Sequence, residues 1–414
     1  MKTAKKRIAI FIMLCLCLGY NSNAQGQRKD KFMIGIFWPP VWEQTNLEQY
    51  RAIRDANVDY IQNVLGNHLN TEERNIKMLQ LAEQCGLKMY VADPRVKGSE
   101  EDIGAMIDTY KKYKATIGYY ILDEPDIAGL TDAAMRYKAI LKYAPDAIPY
   151  VNLFPTYAPL GASYAENYVD KWIELCGKEN LKYLSFDNYP FIADGTFRDD
   201  GYFQNLDIIR IAGLKNSVKT SCYGQSVGIP HAYRRPNAVE LRYSAFSCIA
   251  YGIKNLVWFT YWTPTDRGSE QFTDAIIDPE GNKTDLYIPF AALNGELRQL
   301  GKTLVQLDAR EVYHSGNIPA GAKIVPEDFI ISPEDKTANL ILTLFLYPKT
   351  GQEYVMAVNK SFTETKQLQF TVSPKYKRVK EISSLTGKLV TVKKQEDKIS
   401  VILSPGHGKL FLCK

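Results

Sequence analysis

The sequence predicts a (β/α)8 barrel, the TIM-barrel architecture of the α/β class, followed by a small all-β, sandwich-like C-terminal domain. Two observations carry this expectation. From residue 33 to residue 307, eight apolar runs recur roughly every 30 residues, as repeated βα units require. Each ends in polar or aromatic side chains and is followed by a stretch of helical periodicity. Near Asp308 that periodicity stops, and short alternating runs separated by turn residues take over. The expected division is a leader at 1–24, the barrel at 25–308 and the antiparallel β domain at 309–414.

The eight expected strands are 33–39, 60–65, 87–93, 116–124, 148–154, 181–188, 218–225 and 255–262. Helices are expected between and after them. The first spans 47–56; the second is capped by Asn70-Thr71-Glu72-Glu73 and stopped at Cys85-Gly86. The others span 100–114, 132–143, 164–176 (stopped by Gly177), 202–214, 237–251 (stopped by Gly252) and 289–307. In the tail, strands are expected at 339–345, 354–358, 367–372, 398–403 and 409–412. Lys349-Thr350-Gly351 and Pro405-Gly406-His407-Gly408 supply turns between them, in the manner of a sandwich.

The N-terminus reads as a secretory signal. Lys2, Lys5, Lys6 and Arg7 precede an apolar stretch at 8–18 that is too short to span a bilayer, and Ser22-Asn23-Ala24 offers a cleavage site before Gln25. Export to the periplasm or the exterior is therefore expected. Lipidation at Cys15 or Cys17 is the weaker alternative, because neither is preceded by the small residues such processing uses. Removing the leader lowers the formal charge from +5 to +1, which gives no reason to expect nucleic acid or an acidic surface as partner. No later run is long and apolar enough to suggest a membrane span. Five cysteines remain (85, 176, 222, 248 and 413), an odd number without CxxC spacing, and are read as buried thiols.

Function in such a barrel lies at the C-terminal ends of the strands. In chain order those ends present Trp38 with Trp42, Asn63 with Asn67, Asp93 with Arg95, Asp123 with Glu124, Asn152, Asp187 with Asn188 and Tyr189, Tyr223 with Gln225, and Trp258 with Tyr261 and Trp262. The central stretch is Gly118-Tyr119-Tyr120-Ile121-Leu122-Asp123-Glu124-Pro125, an apolar strand that runs into a carboxylate pair and is ended by proline. Carboxylates at the end of a core strand are costly unless paired or in chemical use. Carboxylates, amides and flat aromatic rings together suit a sugar: the first two bond hydroxyls and the rings cover a pyranose face. Four of the five tryptophans fall on this face. There is no phosphate-binding glycine loop and no HExxH, and the four histidines are scattered, so neither a metal nor another cofactor is expected.

These features resemble the large clan of retaining (β/α)8 glycosidases that includes the family 42 β-galactosidases and the family 5 glycanases. The resemblance covers 33–308. It rests on Asp123-Glu124-Pro125 closing strand four, Tyr189 at strand six and Trp258 or Trp262 at strand eight. It implies an exported glycoside hydrolase acting on an oligo- or polysaccharide, with Glu124 as general acid/base, a tryptophan platform beneath the sugar and Tyr189 orienting the second carboxylate. The sequence departs from the clan at two places: Asp123 stands where the clan has Asn, and strand seven ends in Gln225 where the clan has its nucleophilic Glu.

The second carboxylate is therefore open. Asp187, as a base or as the nucleophile opposite Glu124, is the first choice. Asp93 is another, as is Asp123 steering a substrate N-acetyl group, and the long loop at 263–284 adds Asp266 and Glu270 beside Arg267. The expected sugar contacts are Trp38, Asn63, Asp93, Asn152, Tyr189, Tyr223, Gln225, Trp258 and Trp262. Six of the candidates have a structural alternative: Glu124 paired with Arg95, Asp187 capping its loop, Asp93 forming a turn before Pro94, Trp258 packing the barrel, Gln225 as filler, Trp38 anchoring a rigid loop. The alternative function is a barrel that binds glycans without cleaving them. Oligomeric state is not legible.

Overall fold

The computed structural model describes residues 30–65, 70–265 and 270–414. The expected leader, Asn67, Asp266 and Arg267 lie outside the described residues. Eight parallel strands close into a barrel in sequence order: β1 (Met33–Phe37), β2 (Tyr60–Gln62), β3 (Lys88–Val91), β4 (Thr116–Asp123), β5 (Ile148–Leu153), β6 (Leu184–Asp187), β7 (Thr220–Gln225) and β8 (Asn255–Phe259). The helices are α1 (Leu47–Asp55), α2 (Glu72–Cys85), α3 (Glu100–Tyr110), α4 (Leu130–Tyr143), α5 (Lys171–Cys176), α6 (Asp199–Asn216), α7 (Ala238–Ala250) and α8 (Tyr287–Leu304).

Local chemistry sets their ends. Thr71 accepts the Arg74 N–H at the start of α2, and Gly86 ends it at φ 70°, a conformation glycine adopts without strain. Ser99 with Asp102, and Asn237 with Glu240, form reciprocal capping boxes on α3 and α7. The fifth helix is shorter than its periodicity predicts, because its first part, Tyr164–Asp170, is wound as a π-helix.

The barrel interior is unusually polar and aromatic. Inward positions alternate along each strand and bring Tyr60, Tyr90, Tyr150 and Tyr223 together, with neighbouring ring centroids 5.0, 5.1 and 6.2 Å apart. Three of the hydroxyls are satisfied inside. Tyr60 donates to Asn255 Oδ1 at 2.9 Å, Tyr150 bonds Ser185 and Ser221 at 2.8 Å, and Tyr223 donates to Gln62 Oε1 at 2.8 Å. Room for these rings comes from small residues opposite. A Cβ on Gly35 would lie 2.1 Å from the Tyr60 ring.

The C-terminal strands form two sheets. β9 (Asp308–Ser315), β10 (Lys323–Ile324), β12 (Leu340–Tyr347), β13 (Gln352–Asn359), β15 (Val379–Ile382), β16 (Leu389–Thr391) and β19 (Gly408–Cys413) make a seven-stranded sheet in the order β10-β9-β12-β13-β19-β15-β16. β11 (Ile331–Pro333), β14 (Lys366–Val372), β17 (Lys394–Gln395) and β18 (Lys398–Leu403) make a four-stranded one. Pairing is antiparallel except between β9 and β10. Alternation splits the central strands: Ile341, Phe345, Met356 and Val358 join the barrel core, while Leu340, Leu342, Val355 and Ala357 pack on the four-stranded sheet. Arg210 of α6 donates to the carbonyls of Ala309 and Arg310, each at 2.9 Å, and so pins β9 to the barrel. Among the described residues no helix is long and apolar enough to cross a membrane. The five cysteines named above are buried and free.

Candidate active site

A cavity of about 580 Å³ opens at the C-terminal ends of the barrel strands. Glu124, Asp123, Asp187 and Asn152 lie in it, together with Tyr189 and Tyr223 from the expected sugar contacts. These side chains come from β4, β5, β6 and β7 and from the turns just after β4 and β6.

Strand β4 places two consecutive carboxylates at one cavity by breaking alternation. Tyr120 pairs with Tyr150, but Leu122 pairs with Val151 and Asp123 with Asn152, so an irregularity falls between Tyr120 and Leu122. Without it Asp123 would face the helices. The next residue turns back. Glu124 has φ 47°, a left-handed conformation costly for a non-glycine residue, while its N–H is held by the Asn152 carbonyl at 2.9 Å. The turn is fixed from outside by Tyr168, whose hydroxyl donates to the Pro125 carbonyl at 2.6 Å and accepts from the Phe154 N–H at 3.0 Å.

Glu124 and Asp187 are hydrogen-bonded to each other. Asn152 Nδ2 donates to Asp187 Oδ1 at 2.9 Å and reaches Asp123 Oδ1 at 3.3 Å; its Oδ1 accepts from Ser185. Burial, then the Asp187 and Asp123 carboxylates, push Glu124 up to about 9. Burial and Asp123 push Asp187 up to about 7, against the lowering effect of its hydrogen bonds from Asn152 and Glu124. Glu124 therefore holds a proton at neutral pH and donates it to Asp187. This contact differs from the expected arrangement, in which the two carboxyls stand apart with the glycosidic bond between them.

The aromatic walls also differ from expectation. No tryptophan lines the cavity among the described residues. Trp258 points outward, donating from Nε1 to Asn294 Oδ1 at 2.9 Å and packing on Phe290 of α8. Its neighbour Phe259 takes the inward position and stacks on Tyr189 at 5.2 Å. Trp262 is fully buried and packs near Gly281, and Trp38, with φ 68°, takes the Trp262 N–H on its carbonyl at 3.3 Å. Phe37, Tyr120, Tyr223, Tyr189 and Phe259 form the aromatic floor. Tyr157, after β5, and Tyr233, after β7, join hydroxyls at 2.9 Å along one wall.

Three further expected contacts are structural. Asn63 is wholly buried, bonding Asn75 and the Val64 N–H. Asp93 accepts from Arg95 Nε and Nη2 at 2.9 and 2.8 Å and from Tyr110 at 2.6 Å. Burial alone would raise Asp93, but these bonds outweigh it and hold the carboxyl below its usual range. Glu124 is thus not the partner of Arg95. Gln225 spends its amide on backbone, accepting from Phe191 N–H at 3.3 Å and donating to the Arg234 carbonyl at 2.8 Å. It ties down the loop that carries Tyr233 instead of reaching a sugar.

Sequence reasoning missed Phe259, Tyr157, Tyr233, Phe37 and Lys97, all of which line the cavity. Glu270, from the loop after β8, also lines it. Among the described residues no group of three or more His, Cys, Asp or Glu side chains is placed to hold a metal ion.

No protein-family model matches the sequence, and no curated protein matches it. Solved structures do. A β-galactosidase from Bacillus circulans sp. alkalophilus superposes with a TM-score of 0.60 at 10% identity, covering 93% of this chain and 99% of that one. A family 42 β-galactosidase from G. stearothermophilus, solved as a catalytic mutant, gives 0.58 at 8% identity, covering 94% and 99%. The β-galactosidase of the psychrophilic Marinomonas ef1 gives 0.52 at 10% identity, covering 66% of this chain and 62% of that enzyme. The chain therefore shares its fold, an eight-stranded parallel barrel with C-terminal antiparallel sheets, with these barrel glycosidases.

Proposed function

We propose that the protein is a glycoside hydrolase with Glu124 as its general acid. The observation that carries this reading is a half-buried carboxyl set against Asp187 at the mouth of a barrel, in an aromatic cavity of sugar-accommodating size, where burial and the neighbouring carboxylates favour its protonated form. Protonating a departing glycosidic oxygen requires such a group. The barrel glycosidases that share the fold support the same reaction class. The leader sequence supports export, to the periplasm or beyond.

Asp187 is our choice for the second carboxylate. It is buried, held by Asn152 and the nearest anion to the acid. Contact between the two leaves no space for a sugar, so they part to admit one; Glu124 then protonates the glycosidic oxygen as the C–O bond breaks, and the ionised Asp187 either bonds the anomeric carbon or takes a proton from the water that does. Glu270 is the competing candidate, since it also lines the cavity. The test is a screen of aryl glycosides and polysaccharides, with proton NMR of the first product to report retention or inversion. A second reading, glycan binding without cleavage, is favoured by Gln225 alone; binding without turnover across the screen would select it.

A further inference from the structure

We propose that Lys97 reads an anionic substituent, a uronate carboxylate or a sulfate ester, on the glycan held in this cavity; the proposal rests on the reading of the cavity as a glycan site. Lys97 is the one cationic side chain among the described residues that line the cavity, against four acidic ones: Asp123, Glu124, Asp187 and Glu270. A site with that floor repels an anionic sugar unless a cation stands at the place where the charge falls.

The segment around Lys97 is built to present it. Pro94–Lys97 is a 3-10 turn capped by Asp93, which accepts the Arg95 N–H at 2.9 Å. The charge of Arg95 is consumed by Asp93, at 2.8 Å, and by Glu72, at 3.2 Å. Val96 is fully buried and anchors the turn to the core. On the other side, Gly98 donates to the Arg95 carbonyl at 3.0 Å and packs so close to Asp102 that a Cβ there would lie 2.4 Å from its carboxylate. Asp102 is itself fixed in the capping box with Ser99. Both flanks of the backbone are locked and the charges of Asp93, Arg95 and Asp102 are engaged, whereas the Lys97 ammonium makes no hydrogen bond or ion pair with any described residue. An exposed ammonium rooted in a fixed turn at the cavity wall, with its bonding capacity unused, suits a point-like anion. Asp93 and Arg95, expected in the site, thus serve it as positioning residues for this lysine.

The test uses the full-length chain carrying Glu124→Gln, so that bound glycan is not turned over, with and without Lys97→Met or Lys97→Arg. The probes are oligogalacturonate, a sulfated galactan oligosaccharide and their uncharged counterparts of equal length, titrated calorimetrically at low and high salt. The expected result is binding of one charged probe about tenfold tighter than its neutral counterpart. That preference is lost in Lys97→Met, kept in Lys97→Arg and weakened by salt. Which charged probe shows it distinguishes carboxylate from sulfate. Equal binding of charged and neutral probes, a preference that survives Lys97→Met, or no binding of any probe overturns the proposal. Charged-probe binding that depends on Lys97, in a chain whose Lys97-intact, Glu124-intact form cleaves nothing, overturns the glycosidase reading alone.

Discussion

Glu124 and Asp187 meet carboxyl to carboxylate across the mouth of the barrel, from β4 and β6, and share a proton there. The arrangement makes one of them an acid and the other an anion in the same pH range. Activity on this account needs Asp187 ionised and Glu124 protonated. The kcat/KM profile is therefore expected to be a bell, rising through about 7, falling through about 9 and centred at about 8. Asp187→Asn leaves the burial of Glu124 but removes the largest charge effect that raises it, so the Glu124 carboxyl, followed by 13C NMR in that variant, is expected to titrate lower by a unit or more. A Glu124 titration that is unmoved in that variant contradicts the pairing.

The same raised pKa costs stability. Glu124 and Asp187 both bind protons more tightly folded than unfolded. The unfolded chain thus releases protons that the native state keeps, and stability falls as pH rises from about 4.5 toward 9 for Glu124 and from about 3.8 toward 7 for Asp187. Glu124→Gln keeps the neutral shape without the penalty. It is expected to stabilise the protein at pH 8 by on the order of 1–3 kcal/mol, a Tm rise of about 1–3 °C, and by nothing at pH 4. Thermal melts at the two pH values check this.

Phe259 and Trp258 are adjacent and do opposite work. Phe259→Ala removes a cavity wall and is expected to lower kcat/KM about tenfold with a small change in Tm. Trp258→Ala leaves a hole between β8 and α8 and strands Asn294, costing about 3–5 kcal/mol. Trp258→Phe, which retains most of the packing, should keep KM unchanged. Steady-state kinetics and melts on the three variants separate the roles.

Gln225 ends β7, the place where the expected likeness to the retaining clan would put a nucleophile, so Gln225→Glu is the obvious attempt at repair. Here it should fail. The amide nitrogen donates to the Arg234 and Val227 carbonyls, and a carboxylate in its place would face those oxygens. The expected outcome is a loss of about 2–4 kcal/mol in denaturant unfolding and no gain in rate.

The barrel was legible because eight strands each had to be apolar and each had to be followed by an amphipathic helix; such a period survives local irregularity. The place of Glu124 at the cavity was legible for a related reason, since it ends a core strand before proline. The aromatic walls were not. Trp258 and Phe259 both fit a strand end, and only the inward phase of β8, set by Asn255 and Val257, decides which ring meets the cavity. The irregularity in β4 that admits Asp123 has no sequence signature beyond the need for it. Tyr157 and Tyr233 stand in loops 76 residues apart, and nothing local announces that their hydroxyls meet. Gln225 and Asn63 were read as ligand contacts because amides suit sugars, but buried amides suit backbone equally well.

The central claim is tested most directly by comparing wild type with Glu124→Gln on a natural glycan and on an aryl glycoside whose leaving group needs no proton. The account predicts that wild type cleaves both, that the variant loses about 10²–10⁴-fold on the glycan, and that it loses far less on the aryl glycoside. A variant that cleaves the glycan as fast as wild type would contradict it.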